Sequence, residues 1–254
     1  MIKALFTAAT GMRAQQTRID VIANNLANVN TTGFKKSQAN FEDLLYSNLG
    51  DAGTQKPASL QIGAGSRLVS TTKVFAPGVL EETGRALDLV ITGNGFFQLQ
   101  DINGGTVYTR DGNFHADSNG DVVNSQGLKL VPNINVPEGA TLAISADGTI
   151  SARVGDQAAT QLGQLQLVNF RNPAGLDSTG GNLLRESAAS GTPTTGTPGQ
   201  NGYGTIVQGF LERSNVDVVN ELVSLIVSQR AYETNSRAIS SADQMLTTVN
   251  QILQ

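Results

Sequence analysis

His115 is the only histidine in the chain and there is no cysteine, so the side chains best suited to proton transfer and thiolate chemistry near neutral pH are almost absent. A Ser-His-Asp triad needs a histidine held beside a nucleophile and an acid, and the usual zinc sites need His paired with Cys or with a second His. His115 sits in a short run of β-formers and reads as a surface or half-buried structural residue. Gly93-Asn94-Gly95-Phe96-Phe97-Gln98 begins like a dinucleotide fingerprint, but Gln98 stands where the third glycine belongs and strand formers follow instead of a helix. It reads as a tight turn. Asp117-Ser118-Asn119-Gly120-Asp121 mimics the start of a calcium loop, yet Val122 occupies the glycine position and Leu128 that of the closing glutamate. The paired acids Glu42-Asp43 and Glu81-Glu82 lack neighbours that would raise a carboxyl pKa, and they read as solvated. The expectation is a chain without enzymatic activity, cofactor or metal.

Charge and hydropathy narrow the remaining classes. Lys and Arg total 17 against 21 Asp and Glu, a net charge of −4 with no long run of one sign, so the basic face that nucleic acid requires is missing. No apolar run approaches the ~18 residues of a membrane span, and neither nucleic acid nor membrane insertion is expected. The stretch Met1 to Met12 is broken by Lys3, Thr7, Thr10 and Gly11, so no cleaved secretory signal is expected. Without cysteine, nothing would mispair in an oxidising compartment.

The elements that must carry any function show two periods. Leu5, Met12, Ile19 and Leu26 recur every seven residues, with Ala8, Gln15, Ile22 and Val29 three positions after each, as in an a/d seam. At the other end Val218, Leu225, Tyr232, Ile239, Leu246 and Leu253 form a second row, supported by Leu222, Ala242 and Val249. Ser214 to Asn215 or Asp217 supplies its N-cap. Between them the period falls to two. Leu87 to Ile91, Phe96 to Leu99, Thr106 to Thr109, Leu128 to Val131, Thr141 to Ile144, Thr149 to Val154 and Leu165 to Phe170 read as strands, with hairpin signals at Asn103-Gly104, Asn119-Gly120 and Asp147-Gly148. Tyr46 to Ser66 and Ser187 to Gly204 are rich in glycine and proline and read as linkers. The expected fold is α+β: a discontinuous domain of N- and C-terminal coiled-coil-like helices (1–33 and 215–254), connecting segments (34–66 and 205–214) and a central antiparallel all-β domain (67–204).

The helices leave two arrangements open, a hairpin within one chain or packing between copies. Polar interruptions at Gln15, Gln229, Ser236 and Asp243 suit a helix whose faces meet neighbouring copies. Asn24, Asn25 and Asn28 are poor interior helix residues, tolerated where their amides bond across a packed interface, and Gly33 is a plausible left-handed C-cap.

Ala23-Asn24-Asn25-Leu26-Ala27-Asn28-Val29-Asn30-Thr31-Thr32-Gly33-Phe34-Lys35 resembles the N-terminal signature of bacterial flagellar rod and hook proteins. Gly93 to Phe97, Thr109 to Phe114 and the helix from Ser214 through Gln229-Arg230-Ala231-Tyr232 are similar to further motifs of that family. Phe41-Glu42-Asp43-Leu44-Leu45-Tyr46, Leu60 to Gly63 and Gln208-Gly209-Phe210 place it nearest the distal-rod branch, with a proximal-rod or hook-type relative as the alternative. The resemblance implies export through the flagellar type III apparatus and helical self-polymerisation in the periplasm into a hollow, torque-bearing shaft of the basal body. Implied partners are copies of itself, proximal rod proteins, hook protein, and the peptidoglycan and outer-membrane ring proteins. The expected self-assembly surface comprises Leu5, Met12, Ile19, Asn24, Asn25, Leu26 and Asn28 with Val218, Leu222, Leu225, Tyr232, Ile239, Leu246 and Leu253, while Gly33, Phe34, Phe41, Glu42 and Asp43 are motif positions. If neither seam finds a full partner in one chain, the helices are unfolded in the free subunit, and limited proteolysis should leave a core of roughly Arg67 to Phe210. The segment Tyr46 to Ser66 is expected to order only against a neighbour.

Overall fold

The computed structural model describes residues 2–50, 60–101 and 104–252. The chain divides into two compact units: Met1–Ala27 with Ser37–Lys73 and Asp217–Gln254, and Asn28–Lys36 with Val74–Val216.

The first unit is built on two long helices, α1 (Ile2–Ala27) and α2 (Val218–Ile252). Asp217 is the N-cap of α2, its Oδ1 accepting from the backbone N–H groups of Val219 at 3.0 Å and Asn220 at 3.2 Å, and Glu221 adds negative charge to the first turn. Serine and threonine hydroxyls along α2 donate to carbonyls four residues earlier, as Ser228 does to Ser224. The helices run antiparallel as a hairpin. Asn25 of α1 donates to Glu221 Oε2 at 3.5 Å, while Gly11 meets Asn235, whose amide nitrogen lies 2.9 Å from where a Cβ would stand. The buried seam is made of small and polar residues: Ala8 and Ala14 with Ile22 and Asn25 on α1, Ser228 and Ala242 on α2. Glu221, Ser228, Asn235 and Ala242 keep the seven-residue spacing, each three positions after a member of the expected row Val218, Leu225, Tyr232 and Ile239. Small side chains let backbones approach, and a Cβ at Gly11 would displace the amide of Asn235.

The same unit carries antiparallel ribbons. Ser37–Asp43 pairs with Ser66–Lys73, with a bulge at Asn40/Phe41, and Tyr46–Gly50 pairs with Leu60–Gly63. Tyr46 to Ser66, expected as a linker, is therefore a hairpin on both flanks, and its residues 51–59, including Gly53 and Pro57, lie outside the described residues.

The second unit is antiparallel β throughout. A seven-stranded sheet runs in the order Asp177–Gly180, Leu183–Arg185, Thr106–Thr109, Phe97–Gln100, Lys129–Val131, Val122–Asn124 and Phe114–Ala116. A three-stranded meander, Ala140–Ile144, Thr149–Val154 and Thr160–Gln164, closes over a shared core that includes Phe97, Phe114, Leu99, Leu130 and Ile134. Phe97 and Phe114 meet edge to face with centroids 5.3 Å apart. Asp117 makes the turn expected at Asn119-Gly120, its Oδ1 accepting from the N–H groups of Asn119 and Asp121. Asp147 does the same before Gly148 by accepting from Thr149. Asn103 lies outside the described residues, although the strands flanking it pair.

Two boundaries move. Ser187 to Gly204 holds the strand Thr194–Gly196, paired with Leu167–Asn169, and the fully buried Ser190. Thr205–Gln208 pairs with Leu89–Thr92, and Phe210–Glu212 with Leu80–Glu82. These residues belong to the β unit, because glycines that look like a flexible linker are here turn residues between short strands. A proteolytic core ending at Phe210 would cut a paired strand, while Arg67 to Lys73 belong to the helical unit. Ile206, 1% exposed, gives the measurable consequence. Ile206→Ala should destabilise the chain by about 2–5 kcal/mol, read as a lower urea midpoint at unchanged slope, whereas a linker residue would leave the midpoint where it is.

Candidate functional site

Three segments distant in sequence, Asn28–Lys36, Thr109 to Phe114 and Phe210 to Asn215, meet within the β unit. The Gly33 N–H donates to the Glu212 carbonyl at 2.7 Å. Gly33 has φ +66°, and a Cβ there would lie 2.6 Å from the backbone nitrogen of Asp111, so the expected left-handed glycine is demanded by conformation and by space. The carbonyl of Thr32 accepts from Asn182 Nδ2 at 2.7 Å, and Phe34 is buried. Gly112 presses against the Leu89 carbonyl, with no room for a side chain.

Lys35 and Glu212 close the knot. Their side chains are 3% and 2% exposed, with Nζ 2.6 Å from Oε1. Nζ also donates to the Ala76 carbonyl at 2.8 Å, and Oε1 accepts from the Gly78 N–H at 2.8 Å. Arg110, 5% exposed, donates to the carbonyls of Ile91 and Gly93 and lies over the Phe96 ring at 5.6 Å. The Gly93-Asn94-Gly95 turn is thus a docking point for an arginine, as its reading as a turn allows. Burial lowers the pKa of Lys35, opposed by its hydrogen bond and charge interaction with Glu212. Burial raises that of Asp111, opposed by its hydrogen bonds with Asn113 and Thr32. These contacts hold chain segments together, while Glu212 Oε2 and Arg110 Nε are buried without a hydrogen-bond partner among the described residues. Asn215 extends the fastening by accepting from the Lys36 N–H and donating to the carbonyls of Val74 and Ala76.

Asn25 does comparable work in the helical unit. It is 2% exposed, its Nδ2 donates to the Ser37 carbonyl and its Oδ1 accepts from the Ser37 N–H, both at 2.9 Å, so the amide imitates a strand partner. Expected to bond between copies, Asn25 is spent inside its own chain. Asn28 likewise accepts from Thr31 Oγ1, while Asn24 is exposed.

The expected helical rows are split by their exposure. Leu5, Met12, Ile19, Leu26, Leu225, Ile239 and Leu246 are half-buried along the hairpin, and Val218, Leu222 and Tyr232 are 39%, 42% and 38% exposed. Leu253 lies outside the described residues. Phe41, Glu42 and Asp43 lie on the exposed ribbon, with Glu42 paired to Arg67. The most exposed apolar residues of α2 were absent from the expected set: Val219, Val223, Ile226 and Val227, 55% to 70% exposed. Their signal was present in the paired spacing Val218-Val219, Leu222-Val223, Ile226-Val227, a second stripe at helical period.

The family described as Flagella basal body rod protein matches residues 5–35, Flagellar hook protein FlgE/F/G D1 domain matches 90–152, and Flagellar basal body rod FlgEFG protein C-terminal matches 207–252. The chain is 47% identical to Flagellar basal-body rod protein FlgG of Buchnera aphidicola from Acyrthosiphon pisum, over 99% of this chain and 100% of the relative. It is 45% identical to FlgG of Borreliella burgdorferi, over 99% of both, and 33% identical to Flagellar hook-basal body complex protein FlhP of Bacillus subtilis, over 99% and 100%.

Removing one partner of the buried pair tests the knot. Glu212→Gln strands the Lys35 ammonium and should cost about 3–5 kcal/mol, while Lys35→Met with Glu212→Leu should recover most of the loss. Because the folded pKa of Lys35 lies below 10.5, the unfolded chain holds more protons between that pKa and 10.5, and stability contributed by this group rises with pH there. In Glu212→Gln the folded pKa falls further, so that rise should begin at lower pH, measured as urea midpoints across an alkaline series.

Proposed function

The chain belongs to the flagellar basal-body rod protein family, and from that premise we propose how it works: as a structural subunit of the distal rod, polymerising helically into a hollow, rigid shaft that carries motor torque to the hook. The helical unit makes the subunit contacts and the β unit faces outward toward the peptidoglycan and outer-membrane rings. Proximal rod proteins and hook protein meet the two ends of the polymer. The subunit is exported by the flagellar type III apparatus and assembles in the periplasm, and it performs no catalysis.

The observation that carries this reading is the exposed apolar face of α2. Pairing with α1 buries small and polar residues and half-buries Leu225, Ile239 and Leu246, yet Val219, Val223, Ile226 and Val227 remain open to solvent, a patch of the kind that marks an interaction surface. Subunits joined through unlike surfaces propagate as open helices, and for a shaft the polymer is the product. The expected interface residues Leu222, Val218 and Tyr232 border this patch, while the half-buried Leu225, Ile239 and Leu246 serve the hairpin as much as the contact.

A double substitution separates assembly from folding. Val223→Asp with Ile226→Asp should leave the melting temperature of the free subunit within about 2 °C, because surface changes away from structural features usually stay within ±0.5 kcal/mol. The same variant should abolish rods and motility in cells that carry no other copy. Normal rods would exclude this face as the assembly surface.

A further inference from the structure

The hairpin places its exposed apolar features at opposite ends. Asn25 lies against Glu221 and Gly11 against Asn235, so α2 residues 219–227 stand beside the C-terminal half of α1. Phe6, 67% exposed, stands near the other end, about 20 Å away along the helix at 1.5 Å per residue. It is the largest apolar side chain that α1 presents to solvent among the described residues.

The charges are arranged with the same polarity. From Ile2 to Arg13, α1 carries Lys3 and Arg13 and no acid, while residues 217–228 carry Asp217 and Glu221 and no base. Arg18 and Asp20 offset each other beside the acidic patch, and Arg237 and Asp243 do so along the part of α2 nearer Phe6. One end of the hairpin therefore shows an aromatic ring with basic neighbours, and the other shows an aliphatic patch beside the exposed Asp217, while Glu221 is turned toward Asn25.

Resting on the polymer reading above, we infer that the axial joint of the shaft is head to tail: Phe6 of one copy seats on Val219, Val223 and Ile226 of the next, with Arg13 and Lys3 toward Asp217. The two surfaces differ, so each copy uses both at once. Such a contact cannot close on itself as a two-fold pair, and it gives the polymer a direction. Opposite charges fix which ends meet and repel like ends, while burial of Phe6 against the valines supplies the attraction.

The chain's lack of cysteine allows a clean test. Phe6→Cys and Val223→Cys are expressed singly and together in cells that lack other copies, and hook-basal bodies are isolated and oxidised. The joint predicts a covalent dimer when the two single variants are mixed, a ladder of oligomers when both cysteines are in one chain, and no covalent dimer from either single variant alone. Dimers from Phe6→Cys alone or Val223→Cys alone would replace the head-to-tail joint with a two-fold contact. Assembled rods in which no combination cross-links, Phe6→Cys with Ile226→Cys included as the adjacent register, would overturn the joint and leave the polymer standing. Absence of the cysteine-free parent from isolated basal bodies would overturn the polymer reading and the joint with it.

Discussion

A buried ion pair between Lys35 and Glu212 is the constraint around which the rest of the β unit is organised. Two charges that are 3% and 2% exposed survive burial only if geometry and further hydrogen bonds offset their lost hydration. Here the offsets come from three other places in the chain: the carbonyl of Ala76, the N–H of Gly78, and the neighbouring contact of Gly33 with the Glu212 backbone. The pair cannot form until the segment after α1 and the segment before α2 have both reached the β unit. Its physical consequence is that the segment that follows α1 and the segment that precedes α2 are fastened to each other within the β unit.

That constraint explains why the motifs that identify the family are mostly internal. Gly33, Phe34, Lys35, Arg110 and Gly112 each make a contact within the chain that a Cβ, a shorter side chain or a neutral one would break, and Lys35 makes its contact with Glu212, which lies outside the motif runs. Even Asn25, placed in the middle of a helical pattern, reproduces a strand's donor and acceptor for Ser37. The motif runs around Gly33 and Arg110 therefore report how one subunit closes on itself, whereas the motif helix that begins at Asp217 also carries exposed apolar residues.

The helices, the antiparallel β region and most hairpin turns were legible in the sequence because each rests on local chemistry: seven-residue spacing, period-two runs, and Asn-Gly or Asp-Gly turns. The helical seam was legible in part. Ala8, Ile22 and Ala242 of the expected seams are buried, whereas Ser228 and Asn235 lie three positions after the expected row Val218 to Ile239, where the close approach at Gly11 favours small side chains. The strands at Thr194–Gly196 and Thr205–Gln208 were hidden for a related reason. Glycine and proline mark a turn between short strands and a free linker with the same letters, and only the partner strand, far away in sequence, distinguishes them. Lys35 and Glu212 were beyond reach because nothing local relates residues so far apart.

The division of labour along α2 follows from these choices. A helix that used its bulky residues to bind α1 would have only polar side chains left for neighbours, and assembly would then depend on surface charge that salt screens. With Ser228, Asn235 and Ala242 in the hairpin beside the half-buried Leu225, Ile239 and Leu246, the valines and isoleucine of the first turns remain available on the outside. The cost is a free subunit that exposes an apolar stripe, and the acidic Asp217 at its start lessens that liability by giving the patch a charge that repels its own kind. A contact that rejects its own image and accepts a different surface has the polarity that directional growth requires.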